Sequence, residues 1–276
     1  MIFWKYHGLG NDFILVEDFG LSASSDPEVV RRLCDRRRGV GSDGIIYLEP
    51  DVRAVAFMKI MNSDGSEAEM CGNGIRCAAK HLYDFGVTDS KEMRINTLAG
   101  MKKVSCHVKD DEVEGVSVEM GAPELDCDKI PVNCHGQFID QTLEVDSVKI
   151  KGTAVSMGNP HFVTFENLND EKSRDLGPKI ESHPFFPKRT NVEFVRKTEH
   201  GLDVKVYERG AGWTMACGTG ACAVTVASVL KKLTPAGEET AVHLPGGSLS
   251  IKVAKDLSSV RMTGPAVRVF EGNIDW

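Results

Sequence analysis

Two copies of one short pattern, 146 residues apart, constrain this 276-residue chain more than any other feature of it. Cys71-Gly72-Asn73-Gly74 falls on Cys217-Gly218-Thr219-Gly220, and the same offset places Asn62 on Glu208 and Met58-Lys59-Ile60 on Val204-Lys205-Val206. An offset of 148 places Gly10-Asn11 on Gly158-Asn159. Each half thus reads as a Gly-Asn loop, strands ending in a polar residue, a Cys-Gly-x-Gly turn and a helix. Internal repeats of this kind fold as similar units, here two halves about a pseudo-two-fold axis, with a ligand site expected in the cleft between them.

The turn itself has chemical content. Cys217 runs through Gly218-Thr219-Gly220 straight into an apolar helical pattern, Ala223, Val224, Val226, Ala227 and Leu230. A thiol is therefore expected at a helix start, beside backbone amides that have no intrahelical partner. Such a place is expected to lower a thiol's pKa and to attract an anion. Cys71 repeats the arrangement.

The rest of the chain sets limits. A formal net charge of -7 argues against nucleic acid or an anionic membrane as partner. No apolar run approaches the length of a membrane span. Met1–His7 alternates like a strand and lacks a signal peptide's apolar core, so the cytoplasm is the expected compartment. In that setting the eight cysteines are not expected to form a disulfide framework. Cys34, Cys77, Cys106 and Cys222 read as buried small hydrophobes, while Cys127 and Cys134-His135 lie in a polar loop without a fourth ligand for a metal.

Patterning predicts strands at 2–7, 12–17, 45–48, 54–61, 92–96, 101–108 and 113–120 in the first half. In the second half it predicts them at 142–145, 147–156, 161–166, 191–196, 202–208, 240–244, 248–254, 259–263 and 266–271. Helices are predicted from Pro27, over 73–85, over 172–182 and over 219–232. The first carries a cap signal in Ser25-Asp26-Pro27-Glu28 and is expected to end in Arg36-Arg37-Arg38-Gly39, where cations suit a helix C-terminus. His7-Gly8-Leu9-Gly10-Asn11-Asp12 holds too many glycines for a plain hairpin turn. It is read either as permissive backbone or as a loop holding Asn11 near a ligand. Met120-Gly121-Ala122-Pro123 marks a domain boundary.

Two opposed thiols at helix starts suit inversion of a stereocentre next to a carboxylate. One face needs a base to remove the α-proton, and the other needs an acid to return one. A thiol and a thiolate sharing one proton would serve, since two adjacent thiolates repel. The amides of Gly72, Asn73, Gly218 and Thr219 are placed to stabilise the carboxylate as it takes up charge.

The motifs that carry this chemistry stand in a familiar order: His7-Gly8-Leu9-Gly10-Asn11-Asp12-Phe13, Asn62-x-Asp64-Gly65-Ser66, Cys71-Gly72-Asn73-Gly74-x-Arg76-Cys77, Met157-Gly158-Asn159-Pro160-His161, and Glu208-Arg209-Gly210 through Cys217-Gly218-Thr219-Gly220-Ala221. Nearly end to end the chain resembles the diaminopimelate epimerases. The resemblance implies an α+β fold of two pseudo-symmetric domains, each a mostly antiparallel strand barrel around a central helix. The N-terminal domain would be 1–119 plus 264–276 and the C-terminal domain 120–263. It implies cofactor-independent, metal-free, two-base epimerisation of LL-2,6-diaminopimelate to the meso form, in lysine biosynthesis, by a homodimer acting on a small amino-acid substrate.

By position, Cys71 and Cys217 would be the acid/base pair, assisted by Glu208 and His161. Asn62, Asn159, Asn191 and Arg209 would hold the distal amino-acid end, with Asn11 near the substrate. The chain departs from the family at Gly44, where many relatives carry a Gln, at Phe270, where some carry a Tyr at a dimer contact, and in the bulk of Trp213.

Other functions fit parts of the sequence. A proline or hydroxyproline racemase of the same fold would share the chemistry, although the Asn-rich set with Arg209 suits a longer, doubly zwitterionic substrate. Gly218-Thr219-Gly220-Ala221-Cys222-Ala223 fits a dinucleotide fingerprint but does not follow a strand directly. A redox sensor would use Cys71 and Cys217 as a reversible bridge.

Overall fold

The computed structural model describes residues 1–273. The expected return of 264–276 to the first domain is thus described as far as 273, and 274–276 lie outside the described residues. The chain divides into two compact units, Met1–Glu119 with Thr263–Trp276, and Met120–Met262.

The first unit opens with β1 (Ile2–Gly8) and β2 (Asn11–Glu17), followed by α1 (Pro27–Cys34), β3 (Gly44–Glu49), β4 (Ala56–Asn62) and β5 (Glu67–Ala68). Then come α2 (Gly72–Asp84), β6 (Glu92–Asn96), β7 (Lys102–Lys109) and β8 (Glu112–Gly121). β1 and β2 pair antiparallel, β2 runs parallel to β3, β3 antiparallel to β4, β4 antiparallel to β5 and parallel to β6, and β6–β7–β8 antiparallel.

The second unit repeats the plan. β9 (Gln141–Val145), β10 (Val148–Ser156) and β11 (Pro160–Thr164) lead to α3 (Asp170–Glu181), β12 (Asn191–Thr198), β13 (Gly201–Glu208) and β14 (Gly212–Thr214). α4 (Gly218–Leu230), β15 (Glu239–Leu244), β16 (Gly247–Val253) and β17 (Val260–Gly264) follow. β10 and β11 pair antiparallel, β11 runs parallel to β12, β12–β13–β14 are antiparallel, β13 runs parallel to β15, and β15 pairs antiparallel with β16. The last strand, β18 (Val267–Asn273), pairs with β1 as β9 pairs with β10. Each helper strand thus lies beside the first strand of its unit, but one precedes its unit in sequence and the other ends the chain.

In each unit one helix is wrapped by strands: α2 contacts β1, β2, β3, β4, β6 and β7, and α4 contacts β10, β11, β12, β15 and β16. A helix with strands on several sides must be apolar and slim all round. α4 meets this with small residues, burying Ala221, Cys222, Ala223, Val224, Thr225, Val226, Ala227 and Ser228. α2 does so with Ile75, Cys77, Ala78, Ala79 and Leu82, and carries polar exceptions in buried Asn73, Arg76 and His81. The second glycine of each Cys-Gly-x-Gly turn lets the helix start lie against the sheet. A Cβ on Gly74 would come 3.1 Å from Ile46 Cδ1, and one on Gly220 would come 2.8 Å from Glu193 Oε1.

Several expectations are corrected. The β1–β2 connection is a plain two-residue hairpin: Gly8 pairs with Asn11, and Leu9 and Gly10 both have positive φ, at 56° and 82°. That is the mirror-image turn that matches strand twist, and a leucine in it hid the signal. α1 ends at Cys34, before the arginine run, and Arg36 instead bridges Asp12 (2.6 Å) and Asp43 (2.8 Å). Two carboxylates within reach outweigh the weak attraction of a helix end. Cys127 and Cys134 are joined in a disulfide, so the cysteines are not all reduced. The bridge staples a stretch without ladder pairing, and Cys127 is packed among Ile130, Val132, Phe138 and Phe186.

Candidate active site

In the first unit Cys71 is the N-cap residue of α2, and its sulfur accepts from the Gly74 amide at 3.4 Å. Extended backbone at the cap (φ -135°, ψ 120°) turns the side chain back over the first helical turn, whose amides have no intrahelical partner. Asn11, first residue of β2, lies beside it, with its Oδ1 3.7 Å from the sulfur. The same oxygen accepts from Asn73 Nδ2 (3.1 Å), while Asn11 Nδ2 donates to Asp43 Oδ2 (2.8 Å). Asn62 ends β4, exposed, and donates to Ser66 Oγ at 3.0 Å. Below the helix start the surface is apolar, formed by Ile46 and Ile60.

In the second unit Cys217 caps α4 in the same way (φ -126°, ψ 110°), its sulfur accepting from the Gly220 amide at 3.3 Å, with Thr219 Oγ1 at 3.5 Å. Here the surroundings are polar and ionisable. Glu208, at the end of β13, accepts from Thr214 Oγ1 at 2.5 Å. His161 on β11 is fully buried between Glu193 Oε1 (2.6 Å from Nδ1) and Asn159 Oδ1 (3.0 Å from Nε2). Asn191 is engaged at both ends by backbone, donating to the Pro160 carbonyl (2.9 Å) and accepting from the Arg209 amide (2.9 Å). Arg209 itself is exposed, its guanidinium donating to the Lys188 carbonyl at 3.3 Å.

The expected lowering of the thiol pKa at a helix start fails at Cys217. Burial pushes this thiol well above its usual value, the carboxylates of Glu208 and Glu193 push the same way, and the Thr219 hydroxyl and Gly220 amide only partly oppose them. One amide hydrogen bond does not offset full desolvation plus two nearby negative charges. Burial likewise raises Glu208, against the opposing effects of Thr214 and His161. Cys217 is therefore held as a thiol at neutral pH.

Sequence reasoning missed Glu193. It is fully buried, and among the described residues its Oε2 has no hydrogen-bond partner. A signal was present: a glutamate flanked by Val192, Phe194 and Val195 in a strand is a charge inside the core, and such a charge requires a partner. Trp213 finds its explanation here as well. Its indole packs edge-on against Tyr207 with centroids 5.4 Å apart, and over Gly177 of α3, where a Cβ would come 3.2 Å from the ring. Gly44 is required by its strand, since a Cβ there would lie 2.6 Å from the Met61 carbonyl oxygen.

Comparison with known proteins identifies the family. The chain matches the diaminopimelate epimerase family over residues 3–125 and 153–269. It is 47% identical over 278 residues to the diaminopimelate epimerase of Acetivibrio thermocellus, covering 100% of this chain and 99% of that one. It is 48% identical over 277 residues to that of Desulfitobacterium hafniense, covering 97% and 96%. Among solved structures it shares its fold with a hydroxyproline epimerase from Agrobacterium vitis (TM-score 0.71, 16% identity, covering 99% and 90%). It also shares it with a phenazine biosynthesis protein from Bacillus anthracis (TM-score 0.72, 16% identity, covering 100% and 99%). With full-length relatives at this level of identity, and two cysteine-capped helices set in matching units, the chain belongs to the diaminopimelate epimerase family of isomerases.

Proposed function

We propose that the chain converts LL-2,6-diaminopimelate to the meso form by two-base proton transfer, with Cys71 and Cys217 on opposite faces of one carbon. The observation that supports this most is the repetition of a single device: two thiols, each capping a 13-residue helix and each beside the amides of its first turn. Cys71, as thiolate, takes the α-proton; the C–H bond breaks, an S–H bond forms, and the electron pair spreads into the α-carboxylate. The amides of Gly72, Asn73, Gly218 and Thr219 stabilise that charge. The Cys217 S–H then delivers its proton to the other face, leaving Cys217 as thiolate and the centre inverted. The raised pKa of Cys217 supports its role as the acid in this direction.

Glu208 and His161 adjust the charge around Cys217. Arg209 with Asn62, Asn159 and Asn191 receives the distal ammonium and carboxylate, for which a guanidinium fork is suited. The enzyme is read as a cytoplasmic homodimer, with exposed Phe270 on β18 at the contact.

Replacement of either Cys71 or Cys217 by Ala should lower kcat on the order of 10³-fold, the scale of one general acid or base. Full activity in either variant would refute the assignment. The shared fold favours proline or hydroxyproline as the alternative substrate, and failure of either to compete with diaminopimelate would exclude it.

A further inference from the structure

Four side chains of the first unit form a hydrogen-bond chain whose direction is fixed at both ends. Arg76, the largest fully buried side chain, is a donor only. Its Nη2 donates to Asn73 Oδ1 at 2.9 Å, while its Nε and Nη1 donate to the carbonyls of Pro265 (3.1 Å) and Gly72 (2.9 Å). Asn73 must then present its Nδ2, which donates to Asn11 Oδ1. Asn11 must present its Nδ2 in turn, and this donates to Asp43 Oδ2. Asp43, an acceptor only, terminates the chain. It also accepts from the Asp12 amide (3.1 Å) and from Arg36 Nη2 (2.8 Å). Neither amide can rotate without setting donor against donor or acceptor against acceptor.

We propose that Asp43 is a positioning residue, ending a chain Arg76–Asn73–Asn11–Asp43 that locks the Asn11 carbonyl oxygen against the Cys71 sulfur. The inference rests on the reading of Cys71 as the proton-transfer group, and it adds what sets that group's basicity. An oxygen acceptor held near the sulfur binds the S–H and repels the thiolate. If Asn11 were free, its amide could turn and offer N–H to the thiolate instead. The lock prevents this and keeps the Cys71 thiolate a stronger base, which abstraction of a weakly acidic α-proton requires.

The ionisable groups joined to the hydrogen-bond chain or beside Cys71 come from two sides. Asp43, Asp12, Arg36 and Lys5 lie on the β1–β3 side, Arg76 and the buried Cys77 lie on α2, and Ile46 of β3 and Ile60 of β4 pack under Gly74 at the helix start. The second unit has no counterpart of the chain: Arg76 corresponds to Cys222 and Asn73 to Thr219 by the 146-residue offset, and Asp43 to Thr190 by strand register, since Gly44 pairs with Phe13 as Asn191 pairs with His161.

The test is the pH dependence of Cys71 alkylation by iodoacetamide in the substrate-free enzyme, read by peptide mass spectrometry so that Cys217 is scored separately. In Asp43→Ala the midpoint should fall by about half to one pH unit, with kcat lowered several-fold and KM changed less. Asp43→Asn keeps an acceptor oxygen and should restore most of the midpoint. Asn11→Ala, which removes the oxygen itself, should lower it at least as far as Asp43→Ala and stands in if that variant does not fold. An unmoved midpoint in Asp43→Ala or Asn11→Ala would overturn the proposal. Equal falls in Asp43→Ala and Asp43→Asn would also overturn it, tracing the effect to charge alone. Alkylation needs no turnover, so failure of the catalytic reading is seen separately, as activity retained by Cys71→Ala.

Discussion

The two cysteine-capped helices share a skeleton and differ in what holds the residues around the sulfur. In the first unit Asn11 is paired within a strand ladder and held by Asp43, which is itself part of an exposed ion pair with Arg36. In the second unit the corresponding Asn159 sits in a three-residue loop and faces His161, which is backed by Glu193 with both side chains fully buried. Beneath the helix start the same place is filled by Ile46 in one unit and by Glu193 in the other. A repeat therefore fixes backbone and helix starts while leaving the electrostatics of each copy free to diverge. One thiol faces an oriented, uncharged amide, and the other is buried among carboxylates.

The largest test of this difference is to erase it. Glu193→Ile would give the second unit the residue type of the first and leave buried His161 without its partner. Loss of one member of a buried pair should destabilise the protein by about 3–5 kcal/mol, measured by denaturant unfolding. Glu193→Gln keeps an acceptor for Nδ1 and should cost less than half as much. Equal stability of all three proteins would mean that the pair does not hold the unit together.

The glycines give a smaller contrast. Gly220→Ala drives a Cβ into a carboxylate that is pinned by His161, whereas Gly74→Ala meets the end of an isoleucine that can shift. The first should therefore cost more, by about 1–3 kcal/mol for overpacking, with Gly74→Ala nearer the low end. The reverse order would show that the carboxylate gives way more readily than Ile46.

The smallest expected effect is on alkaline stability. Burial raises the Cys77 thiol from 9.0 to about 12 and the Cys106 thiol to about 11, and raises Cys217 as well. A folded-state pKa above the unfolded one means that the folded protein holds the proton more tightly. Its contribution is complete below pH 9 and is lost as pH rises toward 11 and 12. Melting temperatures should thus fall between pH 9 and 11, and Cys77→Ala should flatten that fall. An unchanged pH slope in Cys77→Ala would assign the loss to other groups.

Much of this fold was legible because its signals are local. Alternation in Ile2–Gly8, the Asp26-Pro27 cap and the Cys-Gly-x-Gly turns each act within a few residues, and apart from the C-terminal end of α1 the predicted elements appear within a residue or two of where patterning puts them. The short strands β5 and β14 escaped because two or three residues carry no period. What depended on contacts between distant segments was not legible. Arg36 looks like part of a helix-end cation run until Asp12 and Asp43 are brought beside it. Glu193 is one charge in a strand until His161 lies 2.6 Å away. The placement of Cys71 and Cys217 at helix N-caps could be read from sequence, but the direction in which Cys217 is shifted could not, because desolvation is a property of the packed unit.

Whether two sulfurs act on opposite faces of one carbon is tested most directly by epimerisation in deuterated water, stopped at early conversion. With two bases, meso-diaminopimelate carries deuterium at the inverted carbon while recovered LL-diaminopimelate carries almost none. Deuterium in recovered substrate and product alike would mean that a single group removes and returns the proton, and would contradict the division of labour between Cys71 and Cys217.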